Sequence, residues 1–447
     1  MVLRGYHDLQ GRSAYQPIIQ QQGGRFIAYI GHHGGSVRNP LNGQTEPNGT
    51  SVVEVTDPQH PRYLHHVPGA ASGTGEAGGA QMVRACAGKD LPKGDPAKTY
   101  LLRTLGNQAH EIWDVTDPGN PTFVSTVIAD LTSTHKNWWE CDTGIAYIVA
   151  HKKEEGWRSR GVKIFDLSDP AHPRYIRDYG VVGQEPGSSG EPVPAPLHGP
   201  IRFENRVYFG YGTSAGGILQ IVDRDKLLQG DPTAPDPFAP TAKNLLYAQI
   251  GRLDIAPNAG AHTTFPALGI QIPEFAKHQP GNTADFVVLV NEAIQHECRE
   301  HRQMVFLVDV TTPSKPFSVA NFQVPEASGN FCTRGGRFGA HASNESFTPI
   351  YYRRLVFISY FNAGVRAVDI RDPYSPKEVA FYIPAITDKT DKRCVPIASG
   401  GEACKVAIQT NNVEVDDRGY IYIVDRANTG LHILELTGEA RAIANFH

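Results

Sequence analysis

Short apolar runs separated by turn residues recur along the whole chain, and five of them share one pattern. Each is an apolar run interrupted by an acidic residue and closed by a Pro-x-x-Pro turn. They are 52–61 (VVEVTDPQHP), 112–121 (IWDVTDPGNP), 162–173 (VKIFDLSDPAHP), 306–316 (FLVDVTTPSKP) and 365–376 (VRAVDIRDPYSP). Two further copies, 217–223 (GILQIVD) and 431–436 (LHILEL), keep the apolar run and lack the prolines. Seven copies in 447 residues give one unit per about 64 residues, and a fixed period of that size marks a repeat architecture.

Each copy extends into four strands. In the third unit they are expected at 135–141, 145–150, 161–167 and 174–179, separated by turn residues. The Asp-Pro-x-x-Pro element predicts a tight hairpin between the last two strands, because proline presets φ and the Asp side chain accepts from the turn backbone. Such a unit cannot bury both faces alone, so neighbours must stack around an axis. The pattern predicts an all-β fold: a single seven-bladed β-propeller of four-stranded antiparallel blades. The blades are expected at about 12–69, 80–130, 134–180, 197–256, 261–325, 340–384 and 404–438. The last has three clear strands, so segment 2–8 is expected to add the fourth and close the ring.

These copies resemble the LVIVD-repeat family, whose apolar-Asp consensus stands here as FLVDV and QIVDR. The resemblance covers nearly the whole chain and implies the propeller architecture. It brings no specific chemistry, since function follows the site and not the fold.

Composition narrows the function classes. The chain is 40% hydrophobic and 20% charged, and 42 basic against 46 acidic side chains leave a net charge of −4. Neutralising phosphates needs a basic excess, so no nucleic-acid partner is expected. No apolar run is long enough to span a membrane, and the opening residues lack a signal peptide's apolar stretch, so a cytoplasmic location is expected. The six cysteines change that expectation if they pair. Cys394 with Cys404 and Cys298 with Cys332 are the near candidates, and two or three disulfides would point to a periplasmic or secreted protein.

The 18 histidines are not scattered evenly on this scheme. The first strand of each blade lines the central channel. His135 opens blade three, His198 blade four, His262 blade five and His341 blade six. Their separations are 63, 64 and 79 residues, about one blade each, the last lengthened by an insertion in blade five. Four consecutive blades are thus expected to aim one imidazole each at the same height of the axis. Imidazole is the commonest transition-metal ligand, so one ion is expected there, Fe or Cu from the donor set, with Zn or Mn as alternatives. The equivalent positions in blades seven, one and two are assigned to Asn411 or Asn412, Gln16 and Gln81. These are weaker ligands, which leaves one side open for substrate or water. Glu292, after an apolar strand, is expected to accept the second ring N–H of a ligating histidine. Glu297, Glu300 and Glu345 lie near the same face.

His33, His110 and His296 come from loops of that face and are candidates for proton transfer. Arg103, His151, Tyr360 and Arg426 are candidates for holding an anionic or carbonyl group of a small-molecule substrate. His60, His65, His66 and His172 are read as structural. No nucleophile elbow, P-loop, zinc-protease or dinucleotide motif occurs. The expected function is a metal-dependent enzyme with a mononuclear four-histidine centre, oxidising a small organic substrate. In site geometry this looks like carotenoid cleavage oxygenases and, less closely, copper-dependent methanethiol oxidases. One alternative is a hydrolase or lyase using the ion as a Lewis acid; another is a non-catalytic propeller that binds a ligand or protein.

Overall fold

The computed structural model describes residues 1–272 and 282–446. Part of the insertion expected in blade five, 273–281, lies outside the described residues. The alternating runs form seven antiparallel sheets that each follow a four-strand path. In blade three the strands are Ser133–Trp139, Ile145–His151, Gly161–Asp166 and Arg174–Tyr179. The proline turns behave as their chemistry requires. Asp57, Asp117, Asp169 and Asp372 each accept the backbone N–H two residues on, at 2.9–3.1 Å. Where the repeat lacks its prolines, in blade four, the same connection holds two short helices, Arg224–Gln229 and Ala242–Ala248.

The first strand of each blade touches the first strand of the next around the whole circle, blade seven meeting blade one. The protein is a seven-bladed β-propeller. Its core is divided into seven apolar layers, one at each interface between blades. Tyr147 and Val149 of blade three, for instance, pack on Val207 and Phe209 of blade four. Trp139 is buried in the layer between blades two and three. Val2–His7 pairs antiparallel with Leu431–Glu435, so the N-terminal strand completes the last blade. Closure of this kind removes an exposed strand edge.

Two features go beyond the repeat. Gly75–Ala80 pairs with the end of the second strand of blade one, at His32↔Ala80 and Gly34↔Gly75. All six cysteines pair, as Cys86–Cys141, Cys298–Cys332 and Cys394–Cys404. The first of these ties blade two to blade three. No helix among the described residues is long and apolar enough to cross a membrane.

Candidate metal centre

The axial side chains are aimed by β-bulges. In blade three the register skips from Thr134 to Asn137, leaving His135 and Lys136 out of the ladder. Blade four skips from Leu197 to Gly199 and frees His198. Blade one skips from Ala14 to Pro17, and blade seven from Thr410 to Val413. A bulge bends the strand and re-aims the unpaired residue, here toward the axis. His262 and His341 stand immediately before the first strands of blades five and six, Thr263–Gln271 and Ala342–Ser343.

The four imidazoles form an arc. Ring centroids are 4.2 Å apart for His135 and His198, 3.5 Å for His198 and His262, and 4.4 Å for His262 and His341. The side expected to stay open is filled by Tyr15, whose ring lies 5.6 Å from His135 and 5.9 Å from His341. Its hydroxyl is 3.3 Å from His135 Nε2. Blade one therefore presents Tyr15 to the arc, in the bulge position that His135 holds in blade three. Gln16 sits one residue further on, where its carbonyl oxygen accepts from Asn412 Nδ2 at 2.6 Å.

All four rings are buried. Burial is the main reason that each imidazole is held below the usual histidine range, His135 to about 3 and the other three well below it. Neutral rings are the form that ligates metal. His198 Nδ1, His262 Nε2 and His341 Nε2 are buried with no hydrogen-bond partner, a cost of roughly 1–3 kcal/mol per group if nothing answers them.

Glu292 faces this arc directly. Its carboxylate oxygens are 3.8 Å from His262 Nε2 and 3.7 Å from His341 Nε2. His198, His262 and Glu292 offer ligand atoms that all lie within 4.8 Å of one another, close to what one ion spans with bonds of about 2.0–2.2 Å. Glu292 thus stands beside the ring nitrogens as a candidate ligand, at a distance from them that is longer than a hydrogen bond. Burial pushes its carboxyl up to about 7 against the pull of Arg337, which donates to it at 2.9 Å. Arg426 Nη1 lies 3.9 Å away on the same oxygen.

The other sequence candidates fall at varying distances from this centre. His33 is buried and joins it through Arg426: its Nε2 is 3.3 Å from Arg426 Nη2 and its Nδ1 is 3.2 Å from Ser13 Oγ. Because the guanidinium can only donate, the His33 proton sits on Nδ1. His110 is buried beside Asn137, with Nδ1 3.5 Å from the Asn137 amide, and burial lowers it to about 3. His296 Nδ1 lies 3.1 Å from the Cys394 carbonyl oxygen. His151 is half-buried at the end of its strand, in a narrow crevice with Lys163 and Asp178. Arg103 gives its donors to the carbonyls of Val67 and Pro68 and to Glu111, a structural set. The Tyr360 hydroxyl accepts from Val324 N at 3.3 Å, and its ring packs on Phe338. Neither is brought to the arc.

Of the remaining carboxylates, Glu345 is buried with Lys136 and Arg84. Glu297 pairs with Lys405 at 2.6 Å, and Glu300 accepts two backbone N–H groups at 2.7 Å. Sequence reasoning missed Tyr15, Glu76 and Arg337. Tyr15 stands one residue before Gln16, a shift set by the bulge between Ala14 and Pro17; the other two come from connections outside the repeat and leave no periodic signal.

No family model matches the chain, and no curated protein matches it in sequence. Among solved structures it is similar to the β-propeller domain of Cps50 (Swd1) from Myceliophteria thermophila, with a TM-score of 0.50 and 9% identity over 95% of this chain and 98% of that one. It is also similar to Raptor from Chaetomium thermophilum, with a TM-score of 0.49 and 10% identity over 92% of this chain. The match spans only 27% of the Raptor chain. At such identities the likeness is one of propeller fold alone.

Proposed function

We propose that the protein is a metalloenzyme with one transition-metal ion on the propeller axis, held by His198, His262, His341 and Glu292 and flanked by His135. The observation that carries this reading is the arc of neutral imidazoles whose unpartnered nitrogens face one buried carboxylate. Within that set His198, His262 and Glu292 lie within reach of one another, and two histidines with a carboxylate recur in non-haem iron oxygenases, which favours Fe(II) with His341 as an added donor. When bound, the ion would supply the redox chemistry for oxidising a small organic substrate. The chain's own groups prepare the site. Arg337 and Arg426 hold the Glu292 charge in a buried place, His33 fixes Arg426, and Tyr15 brings a hydroxyl to His135. The repeat resemblance belongs to this reading as a statement about architecture. Three disulfides support an oxidising compartment over the cytoplasm.

A second reading, a non-catalytic binding propeller, draws support from the closure of the ring by Tyr15. It also draws on a cleft of about 600 Å3 at the edge of blades five and six, lined by Gly269, Tyr352, Arg353 and Arg371. Elemental analysis of protein purified without added metal separates the two. Stoichiometric metal in the parent, lost in a folded His198→Ala/His262→Ala variant, is expected. Full occupancy in that variant, or none in the parent, overturns the metalloenzyme.

A further inference from the structure

Beside the axial arc Arg426 makes a second ion pair, with Glu76, that the metal reading leaves unused. Glu76 sits on segment 71–79 (ASGTGEAGG) and is the only charged residue in it. Its carboxylate accepts from Arg426 Nη2 at 3.0 Å. The Glu76 side chain is 51% exposed and that of Arg426 only 13%, so the pair runs from solvent inward. On its inner side Arg426 reaches His33 Nε2 and the Glu292 carboxylate. Its Nη1 is buried with no hydrogen-bond partner. One guanidinium therefore links a loop carboxylate to the metal-site carboxylate and keeps a donor free. The Glu76 charge reaches the near side of the centre, where it favours the protonated forms of His33 and His135.

The segment carrying Glu76 is rich in glycine and its tip is exposed. Gly73, Gly75 and Gly79 have φ of +89°, +56° and +70°, conformations that glycine adopts without steric cost. Residues 71–77 are exposed. The backbone is anchored near its end, through Asn107 N to the Ala77 carbonyl and Gly106 N to the Gly79 carbonyl. Glu76 itself is also held through its carbonyl, which accepts from Gln81 Nε2. Releasing the Glu76 side chain breaks no blade ladder.

We propose that the axial site takes a carboxylate-bearing small molecule, and that Glu76 is its built-in stand-in: the substrate carboxylate replaces Glu76 on Arg426 as the exposed Glu76 side chain swings out to solvent. This rests on the metalloenzyme reading for the reacting centre and adds to it a substrate class and a gate. A carboxylate on a guanidinium makes a charge-assisted hydrogen bond, which specifies an anion and rejects its neutral isostere. An internal anion on the same donor lowers apparent affinity by the fraction of molecules in the closed state.

Calorimetric titration of acetate and succinate, with acetamide and inorganic phosphate as controls, tests this on the parent, Glu76→Gln and Arg426→Gln. Each is measured with metal and after chelator treatment. Glu76→Gln is expected to bind a carboxylate about tenfold more tightly than the parent, Arg426→Gln to lose it, and acetamide to give no heat. Arg426→Lys, which keeps the charge, is expected to fall between and guards against a misfolded Gln variant. Equal affinity in the parent and Glu76→Gln, carboxylate binding that survives in Arg426→Gln, no binding by Glu76→Gln, or tighter phosphate than carboxylate overturns the proposal. Arg426-dependent binding in a protein that holds no metal overturns the metalloenzyme and leaves the carboxylate site standing. Stoichiometric metal with Arg426-independent binding does the reverse.

Discussion

His135 and His198, 63 residues apart in the chain, meet nitrogen to nitrogen, Nε2 to Nε2, at 2.6 Å. Both rings are neutral, so one nitrogen donates and the other accepts unless a shared cation takes both lone pairs. The distance is fixed by adjacent bulges on strands that ring closure holds side by side, not by local sequence. The meeting point is a property of the assembled propeller.

That relationship separates two roles within the arc. His262 and His341 turn free nitrogens to Glu292, whereas His135 Nε2 is already shared with His198 and Tyr15. His135→Gln is therefore expected to weaken metal binding by about 10–100-fold, the loss usual for a residue that orients a ligand. His262→Gln should remove stoichiometric binding. Competition against a chelator of known affinity measures both, and equal losses in the two variants would count against the division.

Closure makes a sharper claim about stability. Without residues 1–7, Leu431–Glu435 loses its antiparallel partner and becomes an open edge able to pair with another chain. The truncated protein is expected to aggregate or to melt well below the parent. Light scattering and a thermal scan check this; an unchanged Tm would mean that the first strand does not hold the ring shut.

The disulfides should not contribute equally. Cys86–Cys141 closes 55 residues and Cys394–Cys404 only 10. Chain entropy assigns about 4 kcal/mol to the longer loop and about 3 kcal/mol to the shorter. The Cys86→Ala/Cys141→Ala variant is expected to show the larger fall in denaturant midpoint, helped by the loss of a link between two blades. A larger fall for Cys394→Ala/Cys404→Ala would sink that ranking.

Much of this was legible before any coordinates. The 64-residue period carries the blades, and the missing fourth strand of the last repeat carries the closure. Tyr15 was not legible, because a bulge shifts the axial position by one residue and no residue type in blade one announces the shift. Glu76 and Arg337 were hidden for another reason: they lie in connections that the repeat does not govern. Cys86–Cys141 depends on how blades two and three stack, which spacing along the chain does not reveal.

Buried histidines outside the arc set the acid limit of the fold. His66, His110 and His432 are held at about 4, 3 and 4, in each case by burial, against an ordinary value of 6.5. Between roughly pH 6.5 and 4 the unfolded chain binds protons on these rings that the folded protein refuses. Stability therefore rises with pH through that window and is lost as pH falls, by up to about 1.4 kcal/mol per pH unit for each ring. His432 is the clean probe. It lies in blade seven between Tyr6 and Tyr382, ring centroids 4.9 and 6.1 Å away, and its Nδ1 has no partner. His432→Gln removes the titrating group whatever it does to absolute stability. The slope of unfolding free energy against pH, taken from urea midpoints between pH 4.5 and 6, should therefore be shallower in the variant by up to about 1.4 kcal/mol per unit. An unchanged slope would show that His432 is protonated in the folded state, and would turn attention to His66 and His110 as the groups that give way in acid.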